Sequence, residues 1–396
     1  MISFDEAIEI IGSAARPLGT EAIALDQAAG RVLAEPVFAA IDSPRADVSA
    51  MDGYAVRGAD LGSHPVSLRV VGESFPGAGW DGTLRHGQCV RIFTGAPLPS
   101  GADRIVIQER VRREGDGIAI DNDPGPATWV RPRGKDFRVG DPVLASGRSL
   151  NPAALIAASG ADIAEVSVFA RPRLALLATG DELVAAGEAQ AAQLAVPDSA
   201  TLGVAALAQQ WGAEVVSCAR APDDLERLQP AAQDALDCAD VTVVIGGASV
   251  GERDFAKAMF EPLGLALLFS RISIRPGKPA WFGCARDKLV LGLPGNPTSA
   301  LVTARLLLAP LLVAMQGRSA GDALAWEPAQ LATPLRECDD RETFHRAVLS
   351  AGTVSLVDFQ ESHAQRALAE AGVLLRQAAN SPPVADGETV QVLRLA

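Results

Sequence analysis

The second half of the chain alternates short, mostly apolar runs with longer segments in which apolar residues recur at helical spacing. The apolar runs predict buried strands at 174–179, 214–217, 241–245 and 289–293. The helical segments start at 198 or 199 and end at 211, and span 224–238 and 298–315. Strands that alternate with helices in this way predict a parallel, doubly wound α/β sheet.

The two ends of the chain carry different patterns. Ser3 and Glu6 form a capping box before an apolar stripe, which predicts a helix over 3–14. Residues 36–141 alternate short apolar runs with glycine, proline and aspartate, which predicts an irregular β-rich module. Its predicted strands are 67–71, 90–93, 104–108 and 117–120. After about residue 318 the alternating runs at 343–349 and 389–395 predict a small β module.

Composition narrows the class of protein. At 396 residues and roughly 150 residues per domain, the chain has room for two to four domains. A hydrophobic share of 48% and a charged share of 21% exclude wholesale disorder. The net charge is −13 and the pI about 4.9, so no basic field attracts nucleic acid or an anionic membrane. An anionic ligand must be met by local arginine and lysine, by backbone N–H groups or by a metal ion.

The targeting signals favour a cytoplasmic protein. The five cysteines are odd in number and scattered, which argues against a disulfide scaffold or a thiolate zinc site. The N-terminus MISFDEAIEI is acidic where a signal peptide is basic. The most apolar stretch, 300–315, contains Arg305 and Pro310 and predicts a core helix and not a membrane span.

Three turn-rich segments directly follow predicted strands. They are 179–182 (TGDE), 246–251 (GGASVG) and 294–297 (PGNP). In a parallel sheet all three would lie along the carboxyl edge, where open α/β folds bind ligands. Glycine lets the backbone approach a phosphate, and successive N–H groups can cradle it. One such motif alone is usually a turn, but three at one edge predict a binding site.

Carboxylates in turn-like segments are the acidic candidates for chemistry. They are Asp52, Asp136, Asp181, Glu182, Asp224 and Asp254. Hard oxygen ligands beside phosphate-binding loops favour Mg²⁺, which takes only one or two carboxylates. The alternative for Asp181 and Asp254 is helix capping.

Cations and a hydroxyl complete the candidates. The cations are Arg131, Arg133, Arg275 and Lys278, of which the last two flank a rigid Pro-Gly turn suited to an oxyanion. Thr94 offers a hydroxyl, although its loop alone could be structural. The sequence lacks the P-loop motif. These residues predict a multidomain α/β protein that handles a phosphorylated small anion with Mg²⁺.

Seven segments together resemble the molybdopterin molybdenumtransferase family, which includes the gephyrin E domain. They are 49–56 (SAMDGYAV), 94–103 (TGAPLPSGAD), 131–136 (RPRGKD), 179–183 (TGDEL), 246–251 with Asp254, 276–279 (PGKP) and 292–297 (GLPGNP). They occur in family order along the whole chain, and SAMDGYAV is very specific.

The resemblance implies an enzyme that inserts molybdate into the dithiolene of adenylylated molybdopterin and releases AMP, with Mg²⁺ as its cofactor. It implies an elongated homodimer whose active site lies between subdomain III of one chain and subdomain II of the other. The implied boundaries are 20–38 and 141–169 for subdomain I, 39–140 for II, 1–19 and 170–317 for III, and 318–396 for IV. It also implies transient contact with molybdopterin adenylyltransferase and with recipient molybdoenzymes.

Motif position assigns site residues by the same resemblance. The implied catalytic residues are Asp52, Thr94, Asp136, Glu182, Asp224, Asp254 and Lys278. The implied ligand-binding residues are Arg131, Thr179, Gly180, Gly246, Gly247, Ser249, Arg275, Pro294, Gly295, Asn296 and Pro297. Glu182 and Asp254 would hold Mg²⁺ or its waters, and Arg275 and Lys278 would bind molybdate or phosphate.

The chain departs from the family pattern at four places. Arg275 stands where lysine is usual, and Ala200 replaces an asparagine whose amide would contact a ligand or a subdomain. Ala248 replaces valine, and Gln360-Glu-Ser362 lacks the usual glycine. The candidate carboxylates are intact, which favours an active enzyme. The alternatives are molybdopterin adenylyltransferase, which lacks the long N-terminal β module, and a non-catalytic scaffold.

Overall fold

The computed structural model describes residues 1–247 and 255–395. Two compact units make up the chain: Met1–Glu21, Gly30–Ala34 and Val168–Ala396 form the first, and Ala22–Ala29 and Glu35–Ser167 form the second. The division into four subdomains stays a prediction.

A six-stranded sheet forms the centre of the first unit. Its strands are β1 (Arg173–Thr179), β2 (Glu214–Ala221), β3 (Val241–Ile245), β4 (Ala266–Phe269), β5 (Trp281–Ala285) and β6 (Lys288–Leu293). The spatial order is β2-β1-β3-β6-β5-β4, and the first four strands are parallel. β5 runs antiparallel to both of its neighbours. The predicted parallel α/β sheet is confirmed, while β4 and β5 were not predicted.

Helices cover both faces of this sheet because its central strands are apolar on both sides. The helices are α1 (Phe4–Ala14), α2 (Ser199–Gln210), α3 (Leu225–Cys238) and α4 (Pro297–Met315). Leu174 and Leu176 of β1 share one core with α1, α2 and α4, whereas Leu177 shares another with α3. The two-residue period of the strand thus divides its side chains between two helical layers.

The predicted helix caps are present. Ser3 and Glu6 form the capping box of α1, with a 2.7 Å bond from the Ser3 N–H to the Glu6 carboxylate. The side chains of Asp198 and Asp224 accept backbone N–H groups at the starts of α2 and α3. In α4, residues Ala304–Leu308 are π-helical. It is the one helix among the described residues that is long and apolar enough to span a membrane, and 94% of that apolar stretch is buried in the protein, as in a core helix.

The C-terminal region of the first unit is a closed β-barrel. Its strands are Glu327–Leu331, Glu342–Ser350, Thr353–Leu356, Val373–Gln377 and Thr389–Arg394. Pairing of Glu342–Ser350 with both Thr353–Leu356 and Val373–Gln377 closes the ring, and Ile274–Arg275 adds a short parallel edge to it. The predicted small β module is therefore confirmed.

The second unit is built on a curled sheet of six strands. In spatial order they are Arg104–Ile107, Gly53–Val56, Gln88–Ile92, Val66–Ser74, Gly117–Ile120 and Arg112–Glu114. Two-stranded pairs join Val48–Ser49 to Val130–Arg131 and Val37–Phe38 to Pro142–Leu144. The other strands of the described residues are Thr20–Ala24, Glu165–Phe169, Leu183–Val184 and Val196–Pro197. Their other α-helices are Pro152–Gly160, Phe255–Ala258 and Gln365–Glu370. Their 3₁₀-helices are Leu25–Gln27, Gly58–Leu61, Gln108–Arg110, Ala189–Ala191, Glu261–Leu263 and Ala320–Ala323.

Candidate functional site

A cavity of about 660 Å³ opens at the carboxyl edge of the parallel strands. The loop after β1 contributes Thr179–Leu183, the loop after β3 contributes Gly246 and Gly247, and the segment after β6 contributes Gly295–Pro297. The structure therefore brings the three predicted loops around one space. Ser249 and Asp254 lie outside the described residues, and Pro294 is buried behind the rim.

The loops approach one another too closely for larger residues. Gly246 has φ +97°, and a Cβ there would lie 2.7 Å from the Thr179 carbonyl oxygen. A Cβ on Gly295 would lie 3.2 Å from the Gly246 Cα. Glycine is required at Gly246 because only it combines a positive φ with this contact. The bare backbone can therefore come directly against a ligand.

Unsatisfied donors line this space. The Thr179 hydroxyl is buried and has no hydrogen-bond partner among the described residues. Helix α4 begins at Pro297 beside the cavity, and the Asn296 side chain makes no capping bond to it. The first N–H groups of a helix lack intrahelical partners and carry a partial positive charge. The site is thus built to hold an anion such as a phosphate.

The acidic residues of the site have different environments. Glu182 is exposed, and no donor among the described residues contacts its carboxylate. Asp181 instead accepts the Asp223 N–H at 3.1 Å and so links the loops after β1 and β2. Asp224 accepts the Glu226 N–H at 3.0 Å as the cap of α3 and does not line the cavity. Glu182 therefore offers an exposed carboxylate at this rim that no described donor contacts.

Part of the cavity wall was not predicted from the sequence. Asp198 and Asp223 line it, although neither belongs to the predicted site. Asp198 is buried and accepts the Thr201 N–H at 3.1 Å. Its sequence context indicates only a helix cap and gives no sign that the residue also lines a cavity. Ala200 also lines the cavity, so the departure from asparagine removes an amide from the wall itself.

A second cavity of about 650 Å³ lies against the barrel. Arg275 lines it and forms an ion pair of 2.7 Å with Asp339. Arg336 and His345 line it too, and they belong to no recognised motif. Lys278 is half-buried and lines neither of these two cavities. Arg275 therefore faces a different space from the three strand-end loops.

One hydrogen bond joins the walls of the two cavities. The Asn296 amide donates to the Ser362 hydroxyl at 3.1 Å, and each residue lines one cavity. The loop that carries Ser362 is held by the buried Arg346 guanidinium, which donates to the carbonyl oxygens of Phe359 at 2.9 Å and Glu361 at 3.1 Å. The barrel thereby fixes the position of an N-terminal residue of α4.

The second unit carries four of the predicted site residues, which are Asp52, Thr94, Arg131 and Asp136. Asp52 Oδ1 accepts both the N–H and the hydroxyl of Thr94 at 2.8 Å. Arg131 is exposed on the strand that pairs with Val48–Ser49, and the Asp136 N–H donates to the Ser43 carbonyl. These four residues therefore occupy neighbouring segments of one unit.

The Thr94 bonds determine the acidity of Asp52. The Thr94 backbone N–H has the largest effect and the Thr94 hydroxyl the next, and both hold the pKa of the Asp52 carboxyl below its ordinary value. The ionised Asp52 carboxylate therefore stabilises the folded protein above its ordinary pKa. This stabilisation is lost as the pH falls through the lowered pKa. Thr94→Ala removes the hydroxyl bond and keeps the N–H bond, so we expect the Asp52 pKa to rise part of the way to its ordinary value. Carboxyl NMR titration measures this, and an unchanged pKa would contradict the assignment.

Comparison with known proteins identifies the family. Three family models match in order: "MoeA N-terminal region (domain I and II)" at residues 2–161, "Probable molybdopterin binding domain" at 175–314, and "MoeA C-terminal region (domain IV)" at 328–395. The molybdopterin molybdenumtransferase of Haemophilus influenzae is 35% identical over 99% of this chain and 98% of its own length. Molybdopterin molybdenumtransferase 2 of Mycobacterium tuberculosis is 33% identical over 99% of both.

A solved structure agrees in fold over the whole length. The molybdopterin biosynthesis MoeA protein of Pyrococcus horikoshii superposes with a TM-score of 0.81 at 29% identity, covering 100% of this chain and 99% of that one. The resemblance found in the seven motifs is confirmed. The chain belongs to the molybdopterin molybdenumtransferase family, the transferases of molybdenum cofactor biosynthesis.

Proposed function

We propose that this protein inserts molybdenum from molybdate into adenylyl-molybdopterin and releases AMP. The observation that carries the proposal is the convergence of three strand-end loops and the start of α4 on one cavity with a free carboxylate at its rim. In the reaction, two Mo–S bonds form at the dithiolene, and one molybdate oxygen leaves as water with the two thiol protons. Water cleaves the phosphoanhydride and supplies the oxygen that AMP carries away.

The phosphates of the substrate fit the loop cavity. The backbone of Gly246 and Gly247, the hydroxyl of Thr179 and the first turn of α4 supply donors at its wall. Backbone groups and a buried hydroxyl have little freedom to move, so they would bind negative charge with little reorganisation. The adenylyl phosphoanhydride would lie here, and the loops would orient it for cleavage.

The residues present fit a Mg²⁺ ion. Glu182 offers an exposed carboxylate beside the donors for phosphate, and Asp254 would be the second ligand by motif position. Among residues 1–247 and 255–395 no group of three or more acidic, histidine or cysteine side chains is placed to hold a metal. A site with few carboxylates suits Mg²⁺, which retains waters and binds phosphate oxygens. When bound, the ion would neutralise charge on the phosphates as the anhydride breaks.

Molybdate would bind at the second cavity. Arg275 provides a planar cation there, and Lys278 follows on the same rigid turn. The Asn296–Ser362 bond lies between this cavity and the three loops, so the oxyanion would bind next to the phosphates of the substrate. Asp339 now pairs with Arg275, so binding of molybdate requires a rearrangement of that ion pair.

The active site is proposed to be shared in a homodimer. Neither unit alone carries the full set of motif residues, since Asp52, Thr94, Arg131 and Asp136 belong to the second unit. By family resemblance, the second unit of one subunit completes the cavity of the other. The dimer would act in the cytoplasm, in transient contact with molybdopterin adenylyltransferase and with recipient molybdoenzymes.

Mixed dimers test this arrangement. Asp52→Asn and Glu182→Gln homodimers are each expected to be inactive, but a purified heterodimer of the two has one of its two sites intact on both sides. We expect it to recover about half of the wild-type turnover, since a two-fold dimer has two equivalent sites. An inactive heterodimer would show that each site lies within a single subunit.

An AMP-release assay tests the proposed reaction. The purified protein is given adenylyl-molybdopterin, molybdate and Mg²⁺, and nucleotide release is measured by chromatography. We expect AMP to appear without ATP and to depend on molybdate and Mg²⁺. A requirement for ATP would indicate the adenylyltransferase, and no release would indicate a binding or scaffold protein.

A further inference from the structure

A stack of aromatic and guanidinium groups lies next to the Asp52–Thr94 pair. The rings of Phe75 and Phe93 are 4.7 Å apart and within 13° of parallel. The Arg91 guanidinium lies 4.9 Å from the centre of the Phe93 ring. Phe93 directly precedes Thr94 in the chain.

Hydrogen bonds hold this stack rigid. Arg91 donates to the Gly53 carbonyl at 3.0 Å and to the Gln108 side chain at 2.7 Å. Phe75 opens a tight turn in which its N–H and carbonyl both bond to Ala78. The next residue of that turn, Pro76, lies against Gly95: a Cβ on Gly95 would be 3.9 Å from Pro76 Cγ. The Phe75 turn and the Thr94 loop therefore lie side by side.

One face of this stack is open. Phe75 is 44% exposed although Phe93 covers one side of its ring. Aromatic residues are only 5% of the chain, and exposed ones are few among the described residues: Phe38, Phe75, Trp129 and Phe359. Trp129 belongs to the same unit, and its carbonyl accepts the N–H of Ala50, two residues before Asp52. Phe75 and Trp129, two of these few exposed rings, therefore lie near the Asp52 loop.

The Asp52 carboxylate adds a polar recognition group. Both Thr94 bonds go to Oδ1, and no donor among the described residues contacts Oδ2. With its lowered pKa, the carboxylate is ionised at neutral pH and accepts hydrogen bonds only. A ligand amino group would satisfy Oδ2.

We propose that Phe75, backed by Phe93 and Arg91, is the stacking platform for a flat, amino-bearing heteroaromatic ring, with Asp52 Oδ2 as the acceptor for its amino group. Adenine and pterin share this chemistry, and an aromatic side chain binds either through its π face. The inference rests on the proposed function, because adenylyl-molybdopterin carries both rings.

Equilibrium binding to the full-length protein tests the platform. AMP and 6-hydroxymethylpterin are titrated separately into wild type, Phe75→Ala, Phe75→Trp and the control Phe359→Ala, which removes an exposed ring (64%) from the other unit. Phe75→Ala is expected to raise the Kd of one probe about tenfold, the size of one stacking contact. Phe75→Trp and Phe359→Ala should each stay within about twofold of wild type, since one keeps a π face and the other lies elsewhere.

The outcomes distinguish adenine from pterin as the bound ring, and they distinguish this inference from the proposed reaction. A selective effect on AMP assigns the platform to adenine, and a selective effect on the pterin assigns it to pterin. Unchanged affinities for both probes in folded Phe75→Ala, or a wild type that binds neither, would overturn the inference. Binding that depends on Phe75 in a protein that releases no AMP would keep the platform and reject the proposed reaction.

Discussion

Replacement of Glu182 by glutamine is expected to lower the rate of AMP release by about 100-fold or more, the usual effect of removing one electrostatic group from an active site. Glutamine keeps the size of the side chain and removes its charge. Because the Glu182 carboxylate is exposed and contacts no donor among the described residues, its loss should change the free energy of unfolding by less than about 0.5 kcal/mol. The loss would therefore be one of chemistry and not of folding.

Glu188→Gln is the matched control for this variant. Glu188 follows on the same loop, accepts the Ala185 N–H at 3.1 Å and does not line the cavity. Glutamine can still accept that bond, so we expect wild-type turnover. Single-turnover AMP release and urea unfolding are measured for both variants. Full turnover of Glu182→Gln would remove Glu182 from the reaction.

Replacement of Arg346 by methionine is expected to lower the free energy of unfolding by about 3 kcal/mol, because partly buried hydrogen bonds from a charged donor are lost. Arg346 is only 2% exposed and donates to the carbonyl oxygens of Phe359, Glu361 and Ala364. Gln360 adds bonds to the Arg346 backbone and fixes the same loop. Methionine fills the space but supplies no N–H groups.

The Arg346 substitution should also lower turnover, because it loosens a loop that forms part of the wall of the second cavity. The loop it holds carries Ser362, which accepts the Asn296 amide at the wall between the cavities. The control is Arg366→Met on the neighbouring helix, because the Arg366 side chain is 95% exposed and its ion pair with Glu370 is a surface one. Urea midpoints and the KM for molybdate are compared. Equal midpoints for wild type and Arg346→Met would contradict the structural role.

The α/β core could be predicted because its strands are buried on both faces. The runs ending at Thr179, Ile245 and Leu293 are mostly apolar, which is the pattern of parallel strands. Ser3 and Asp224 marked helix starts through their capping chemistry. Since parallel strands end at one edge, the meeting of their loops also followed from the sequence.

The hairpin of β5 and β6 could not be predicted because its turn lacks the usual residues. Arg286 and Asp287 have φ of +48° and +61°, values that asparagine and glycine adopt most easily. Neither residue signals a two-residue turn, so β5 stayed unrecognised. The edge strand β4 has three of its four residues exposed and carries no buried run.

The second cavity also could not be predicted, since its wall joins distant parts of the chain. Arg275 precedes β5 in the chain, whereas Arg336 and His345 come from the C-terminal region that forms the barrel. The Asn296–Ser362 bond spans 66 positions in the sequence. Such pairs depend on tertiary packing, and one sequence holds no local signal for them.

A crystal structure of the protein with adenylyl-molybdopterin bound would test the proposed site directly. We expect the phosphates to lie against the Thr179, Gly246 and Gly295 loops at the start of α4, with the Glu182 carboxylate facing them. Density for the ligand at a place that none of these loops touches would contradict it.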